Sequence, residues 1–227
     1  MIEVKNVTKT YGLKDNLFTA LKDISFVIED GSSVAILGKS GSGKSTLMHV
    51  MSGLDKPESG EIVIDGKNII NLRPSEVDKF RSKSMGFIFQ SFFVQANESC
   101  YDNVSLPLEI ARTPSSRRRK RIESALKAVE LYDKIKSRAR DLSGGQKQRL
   151  AVARAIVNKP RFLFADEPTG NLDSVTGAVI ENLLFDYNKK FNVTLIIVTH
   201  DPDLANRCDV KIHITDGKID YVRKNKR

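Results

Sequence analysis

Residues Ser33 to Ser52, SVAILGKSGSGKSTLMHVMS, constrain this 227-residue chain more than any other stretch. Val34 to Leu37 form a short apolar run. Gly38-Lys39-Ser40-Gly41-Ser42-Gly43-Lys44-Ser45 follows and leads into helical apolar spacing, so the pattern G-x-x-x-x-G-K-[ST] stands in the strand-to-helix context it requires. The glycines let the backbone fold tightly, and successive N–H groups and the following helix N-terminus then point at one place, which suits an anion. The phosphates of a nucleotide are the natural occupant. Lys44 would place its ammonium on the outer phosphates and Ser45 its hydroxyl on a magnesium ion, with Gly38, Ser40, Gly41, Ser42, Gly43 and Thr46 completing the binding loop. The ordinary alternative is a glycine-rich turn that binds nothing.

The length permits one α/β domain with an appendage and a core that folds without staples. Cys100 and Cys208 stand far apart without ligand spacing, so neither a disulfide framework nor a metal site is suggested, and a reducing cytoplasm fits. No apolar run approaches the roughly 18 residues of a membrane span, and the start, MIEVKNVTKTYG, alternates like a strand rather than reading as a signal peptide. The formal net charge of +9 suits nucleic acid, anionic lipid or merely a soluble surface and does not choose among them. The densest basic block, Arg117-Arg118-Arg119-Lys120-Arg121, opens a segment with Ile122, Ala125, Leu126 and Val129 at helical spacing. It reads as a solvated first turn, mildly disfavoured by the helix dipole. The tail Arg223-Lys224-Asn225-Lys226-Arg227 reads as a frayed end, with contact to lipid headgroups as the alternative.

In chain order, Ile2 to Val7 and Leu21 to Ile28 alternate as strands, and Tyr11 between them would either stack on a base or simply pack. Ser59 to Asn68 is a strand with the Asp65-Gly66 turn signal, which places an N-terminal antiparallel sheet beside the nucleotide core. Pro74 to Arg81 is short and helical. Met85 to Gln90 is an apolar strand whose C-terminal edge, where ligands of open α/β sheets bind, carries Gln90, a candidate contact to the metal or the attacking water. Asp102 to Lys159 is almost free of strand pattern and reads as an inserted helical lobe. Inside it Leu142-Ser143-Gly144-Gly145-Gln146 precedes a strong helix, a second phosphate-ready helix end or else a capping turn with nothing bound.

Arg161 to Glu167, RFLFADE, is a buried strand ending in two carboxylates. Asp166 would hold the metal and Glu167 would face the attacking water as general base; a helix cap or a solvated turn is the alternative. Pro168 to Asp173 is turn chemistry and Ser174 starts a helix to about Phe191. Thr194 to Thr199 is a buried strand ending in His200, at the same edge as Glu167 and Gln90, where an imidazole can donate to a γ-phosphate. His49 and His213 look ordinary. Lys211 to Thr215, the Asp216-Gly217 turn and Ile219 to Val222 form a terminal hairpin.

The order of these motifs resembles the ATP-binding subunits of ABC transporters. The glycine loop, Gln90, LSGGQ at 142–146, LFADE at 163–167, Asn171-Leu172-Asp173 and His200 stand in family order, and LSGGQ is the most specific of them. ADEPTGNLD at 165–173 is similar to the branch serving lipoprotein release, macrolide or antimicrobial-peptide export and related cell-division complexes. The resemblance implies a P-loop NTPase core of residues 1–90 and 160–227 with an N-terminal antiparallel β-subdomain, and an inserted α-helical subdomain of about 91–159 carrying LSGGQ, all in one ABC ATPase domain. It implies a head-to-tail dimer that closes on ATP and Mg2+, in which Ser143, Gly144, Gly145 and Gln146 meet the partner's nucleotide and Asp173 lies near the twofold axis. Tyr11 would carry the adenine. Ser45, Gln90 and Asp166 would serve the metal, and Glu167, Gln90 and His200 the hydrolysis. A separate integral membrane permease would dock near Gln90 and the helical lobe, which puts the chain in the cytoplasm, peripheral on the inner face of the membrane.

Three positions depart from the pattern. Ser91 to Tyr101, SFFVQANESCY, replaces a Leu- and Pro-rich run where the membrane subunit would dock, Ala139 replaces a proline, and Lys39 fills a loop position often held by proline. A soluble ABC-type ATPase acting on nucleic acid or ribosomes is the competing reading, which the basic charge supports. The single cassette without a heptad arm argues against it. A nucleotide-binding regulator without turnover is disfavoured by the presence of both Glu167 and His200.

Overall fold

The computed structural model describes residues 1–12 and 16–225. Alternation builds the first sheet: β1 (Ile2–Tyr11) and β2 (Phe18–Ile28) pair antiparallel with Ile2, Val4, Val7, Leu21, Ile24 and Ile28 turned inward. The chain then enters the core through β3 (Ser33–Leu37) and α1 (Lys44–Met51) and returns to the first sheet as β4 (Ser59–Ile64) and β5 (Lys67–Asn68). The turn between them has positive φ at both Asp65 and Gly66, as the favoured two-residue hairpin turn requires. Strand order in this antiparallel sheet is β2-β1-β4-β5.

The rest alternates strand and helix: α2 (Pro74–Ser84), β6 (Met85–Ile88), α3 (Cys100–Ile110), α4 (Ser115–Ala128), α5 (Gly144–Ile156), β7 (Phe162–Asp166), α6 (Ser174–Phe191), β8 (Thr194–Val198), α7 (Pro202–Arg207), β9 (Val210–Thr215) and β10 (Lys218–Lys224). The second sheet has the order β10-β9-β3-β8-β7-β6, parallel from β9 to β6 with β10 as an antiparallel edge. Its central strands are buried on both faces, so they read as continuous apolar runs. Successive side chains still go to opposite sides. Val34, Ile36, Phe162, Phe164, Ile196 and Val198 share one core with α1 and the antiparallel sheet, whereas Ala35, Leu163, Ala165, Leu195 and Ile197 share another with α3, α4, α5 and α6. Every parallel strand ends at one edge, and the helix that follows β3 starts there with its first-turn N–H groups unpaired.

The expected α/β architecture is present, with three local differences. β1 runs on to Tyr11 because irregularities at Val4/Val7, Val7/Lys9 and Lys9/Thr10 carry its pairing with β2 past the point where simple alternation fails. Tyr11 is therefore a strand residue paired with Phe18, not a residue between strands. The C-terminal tail is not frayed as far as Asn225: Arg223 and Lys224 pair with Lys211 and Val210, and the Asn225 amide reaches the Cys208 carbonyl at 2.6 Å. Lys226 and Arg227 lie outside the described residues. Cys100 and Cys208 are buried free thiols, and burial with the nearby Asp209 pushes Cys208 up to about 12. Among the described residues no helix is long and apolar enough to cross a membrane.

Helix α5 lies so close on β6 that a β-carbon at Gly86 would stand 2.3 Å from the Ala155 carbonyl oxygen. Because the obstacle is backbone, Gly86→Ala has to push helix and strand apart. A destabilisation of about 1–3 kcal/mol is expected, read as a lower urea midpoint with an unchanged slope.

Candidate active site

At the C-terminal edge of the parallel strands lies a cleft of about 700 Å³. The loop between β3 and α1 forms its floor. Gly43 sits at φ 106 as the residue before α1, and its carbonyl accepts the Leu47 N–H at 2.8 Å. At that φ a side chain would be strained, and a β-carbon would also meet the Ala20 carbonyl at 2.5 Å. Lys44 folds back over the loop: its ammonium donates to the carbonyl oxygens of Gly38 and Lys39, both at 2.9 Å. The loop carbonyls are thereby tied inward, and the N-terminus of α1 is left to face the cleft with its partial positive charge.

Gly38, Ser40, Gly41, Gly43, Lys44, Ser45 and Thr46 all line the cleft. Ser42 does not; it is buried, its hydroxyl has no hydrogen-bond partner among the described residues, and its carbonyl instead holds the Gly217 N–H at 3.1 Å. The opposite wall comes from three neighbouring strands, which bring Gln90 after β6, Asp166 and Glu167 at the end of β7, and His200 after β8. Burial pushes the Asp166 carboxyl up from its ordinary range, and a hydrogen bond from the Ser45 hydroxyl pulls the other way. Ser45 and Asp166 both line the cleft, and their oxygens are hard donors of the kind magnesium takes alongside phosphate oxygens.

Glu167 occupies the left-handed region at φ 45, where a non-glycine residue stores strain. Its N–H donates to the Val198 carbonyl at 2.9 Å and its own carbonyl accepts from Gly170 at 3.1 Å, so strand and turn hold the strained residue from both sides. The carboxylate Oε1 lies 2.9 Å from His200 Nδ1. Tyr11 lines the far end of the cleft, its hydroxyl donating to Asp55 at 2.7 Å.

The second helix end is elsewhere. Ser143 caps α5, its hydroxyl accepting the Gln146 N–H at 3.3 Å while the Gln146 side chain accepts the Ser143 N–H at 3.0 Å. Asp173 caps α6 through Thr176, whose N–H holds the carboxyl below the usual range. None of Ser143, Gly144, Gly145, Gln146 or Asp173 lines the cleft, although Gly145 packs directly against Thr176 and so keeps the two capped ends together.

Several contributors escape sequence reasoning. Phe18, 60% exposed, stands opposite Tyr11 across the β1–β2 pair and lines the cleft with it. Lys9 is 8% exposed, with its ammonium 3.0 Å from Asp55 and over the Tyr11 ring. Its inward place in β1 was the available signal. On α5, Arg154 donates to the Phe93 and Phe92 carbonyls at 2.6 and 3.0 Å, and buried Gln148 donates to the Pro168 carbonyl, while Asn171 donates to the Gln90 carbonyl at 2.9 Å.

Comparison with known proteins bears on this arrangement. The ABC transporter family matches residues 21–170. The chain belongs to the ABC transporter family. The lipoprotein-releasing system ATP-binding protein LolD of Syntrophus aciditrophicus is 41% identical over 219 residues, which is 96% of this chain and 98% of the relative. An uncharacterized ABC transporter ATP-binding protein of Methanocaldococcus jannaschii, MJ1508, is 42% identical over 219 residues, 96% of this chain and 97% of its own. Among solved structures, the ATP-binding cassette MJ0796 in a dimeric post-hydrolysis state bound to ADP and Pi matches with a TM-score of 0.91 and 38% identity over 100% of both chains. This ABC cassette is thus an ATP-binding and ATP-hydrolysing subunit of transporter type.

The raised Asp166 carboxyl has a thermodynamic consequence. Its folded pKa lies above the unfolded one, so the ionised group opposes folding at neutral pH and the opposition fades as pH falls through the folded pKa. Asp166→Asn is expected to raise the thermal midpoint of the nucleotide-free ABC cassette by a few degrees at neutral pH and by less in mild acid. Differential scanning fluorimetry across pH checks both.

Proposed function

We infer that two copies of this chain close head to tail on ATP, each nucleotide held between the loop of one copy and Ser143 to Gln146 of the other, and that hydrolysis reopens the pair to drive a separate membrane-embedded permease. The observation that carries this reading is the separation within one chain of two anion-ready helix ends, only one of which lies in the cleft. An N-terminus such as that of α5, with two glycines in its first turn, is open to an anion that the same chain does not deliver. The dimeric state of the related cassette MJ0796 supports the same reading.

In this reading Tyr11 and Phe18 face the adenine, Lys44 leaves the Gly38 and Lys39 carbonyls for the outer phosphates, and Asp173 lies near the twofold axis. Magnesium would be held by Ser45 and Asp166 with Gln90 beside them, and would neutralise developing phosphate charge. Glu167 accepts the proton of the attacking water, which becomes part of the released phosphate. His200 orients Glu167 through Nδ1; a neutral imidazole that donates there has only an acceptor at Nε2, so donation to the γ-phosphate requires the imidazolium. Residues of about 91–159 form a helical subdomain on a core of residues 1–90 and 160–227. Between the two, a groove of about 530 Å³ lined by Phe87, Phe89, Leu106, Pro107 and Arg154 takes the permease, which keeps the subunit peripheral on the inner face of the membrane. Arg154, in the lining of this groove, also holds the Phe92 and Phe93 carbonyls, which lie within the stretch Ser91 to Tyr101 that departs from the family pattern.

Glu167→Gln tests the chemistry. It is expected to keep ATP affinity, lose about 10²–10⁴-fold in turnover and accumulate an ATP-bound dimer in size-exclusion chromatography. A wild-type rate of phosphate release would remove Glu167 from its role. Lys44→Ala is expected to weaken ATP binding itself, by about tenfold or more, in a calorimetric titration. Unchanged affinity would count against the phosphate assignment.

A further inference from the structure

The five-residue basic run on α4 is divided by the helix into two faces. Arg118 pairs with Glu109 at 3.3 Å and donates to the Thr113 carbonyl at 2.8 Å, and Arg119 pairs with Glu123 at 2.9 Å. Arg117, Lys120 and Arg121, spaced i, i+3 and i+4, share the other face and carry no side-chain ion pair or hydrogen bond among the described residues. That face borders a groove of about 380 Å³ between α4 and α6. Small side chains, Ser124, Ala125 and Ala128, keep the α4 wall low. Ile156 and Val157 form part of the floor, Tyr187 and Phe191 form the α6 wall with ring centroids 4.7 Å apart, and Lys159 adds a fourth cation without a partner. Among the described residues no acidic side chain lines this groove.

We propose that this groove docks an acidic amphipathic helix of a protein partner, with a row of carboxylates against Arg117, Lys120 and Arg121 and bulky apolar side chains in the slot over Ala125 and Ala128. Charge complementarity selects this occupant. Three of the four unpaired cations are spread along α4 and the fourth, Lys159, follows α5, so a single lipid headgroup with one or two negative charges leaves most of them unmatched. A bilayer surface supplies enough charge but is flat, and leaves the apolar floor open to water. A helix with acids at i, i+3 and i+4 matches the cation row, and α4, 14 residues and about 21 Å long, is the length of wall that such a helix needs.

The test uses the full chain and a fluorescein-labelled synthetic helical peptide of about 16 residues, with Glu at i, i+3 and i+4 and Leu and Phe one and two turns further on. A twin peptide carries Gln in place of Glu. By fluorescence anisotropy the Glu peptide is expected to bind, to weaken as salt rises, and to bind Arg121→Glu about tenfold more weakly, while Arg119→Glu, the same charge change on the other face of the same helix, is expected to bind it within about twofold of wild type. Ala128→Trp, which fills the slot without altering charge, is expected to abolish binding. Equal losses for Arg121→Glu and Arg119→Glu, or equal binding of the Gln twin, would overturn the proposal. So would an absence of peptide binding together with Arg121-dependent flotation on phosphatidylglycerol vesicles, which would assign the face to lipid. ATP turnover of all three variants is expected to equal that of the wild type, so this outcome is independent of the nucleotide-site assignment.

Discussion

The open N-terminus of α1 is the constraint to which the rest of the fold answers. A helix end with unpaired N–H groups is useful only if the loop before it cannot collapse onto those groups. Lys44 prevents this from the front by binding the Gly38 and Lys39 carbonyls. From behind, the loop is clamped by parts of the chain remote in sequence: Gly38 abuts the Ile214 carbonyl, Gly43 abuts that of Ala20, and the Gly217 N–H holds the Ser42 carbonyl. Gly217 in turn accepts the Lys22 N–H at 2.7 Å. The terminal hairpin and the antiparallel sheet are therefore backing for the cradle, and the β9–β10 turn is the wedge between them.

The opposite side of the cleft is stiff for a different reason. Gln90, Asp166, Glu167 and His200 follow strands buried on both faces, whose register is set by apolar side chains alternating into two cores. Small movements of these groups would require slipping a strand. The strain at Glu167 persists because the surrounding hydrogen bonds over-determine its backbone, which keeps the carboxylate at the point where the strand ends. Burial lifts the Asp166 carboxyl beside it, so two adjacent acids stand in different surroundings.

Elements with strong local signals were legible in the sequence: the apolar strands, the glycine loop, and the helix from Ser174 to Phe191 begun by its Asp173 cap. The sequence also put Gln90, Glu167 and His200 at one edge, because strand ends in a parallel sheet share an edge. What escaped depended on partners distant in the chain. Lys9 follows Val7 by two and so faces inward once β1 is extended, but its partner Asp55 lies 46 positions away, and Phe18 gains meaning only from its register with Tyr11. Arg154 looks like any helix arginine, and its partners are carbonyls some sixty positions earlier, |i−j| = 61 and 62. The tail seemed free because nothing in its composition announces that the Asn225 side chain satisfies the Cys208 carbonyl.

Helix α5 links these two halves. Its capped N-terminus is the end that we assign to the partner's nucleotide; its middle, through Gln148, holds the Pro168 carbonyl one residue after Glu167, and its last turn, through Arg154, holds the segment just after Gln90. Asn171 closes the circuit by binding the Gln90 carbonyl. In the dimer that we infer, an anion at Ser143 would meet a helix already fastened to the segments that follow Glu167 and Gln90.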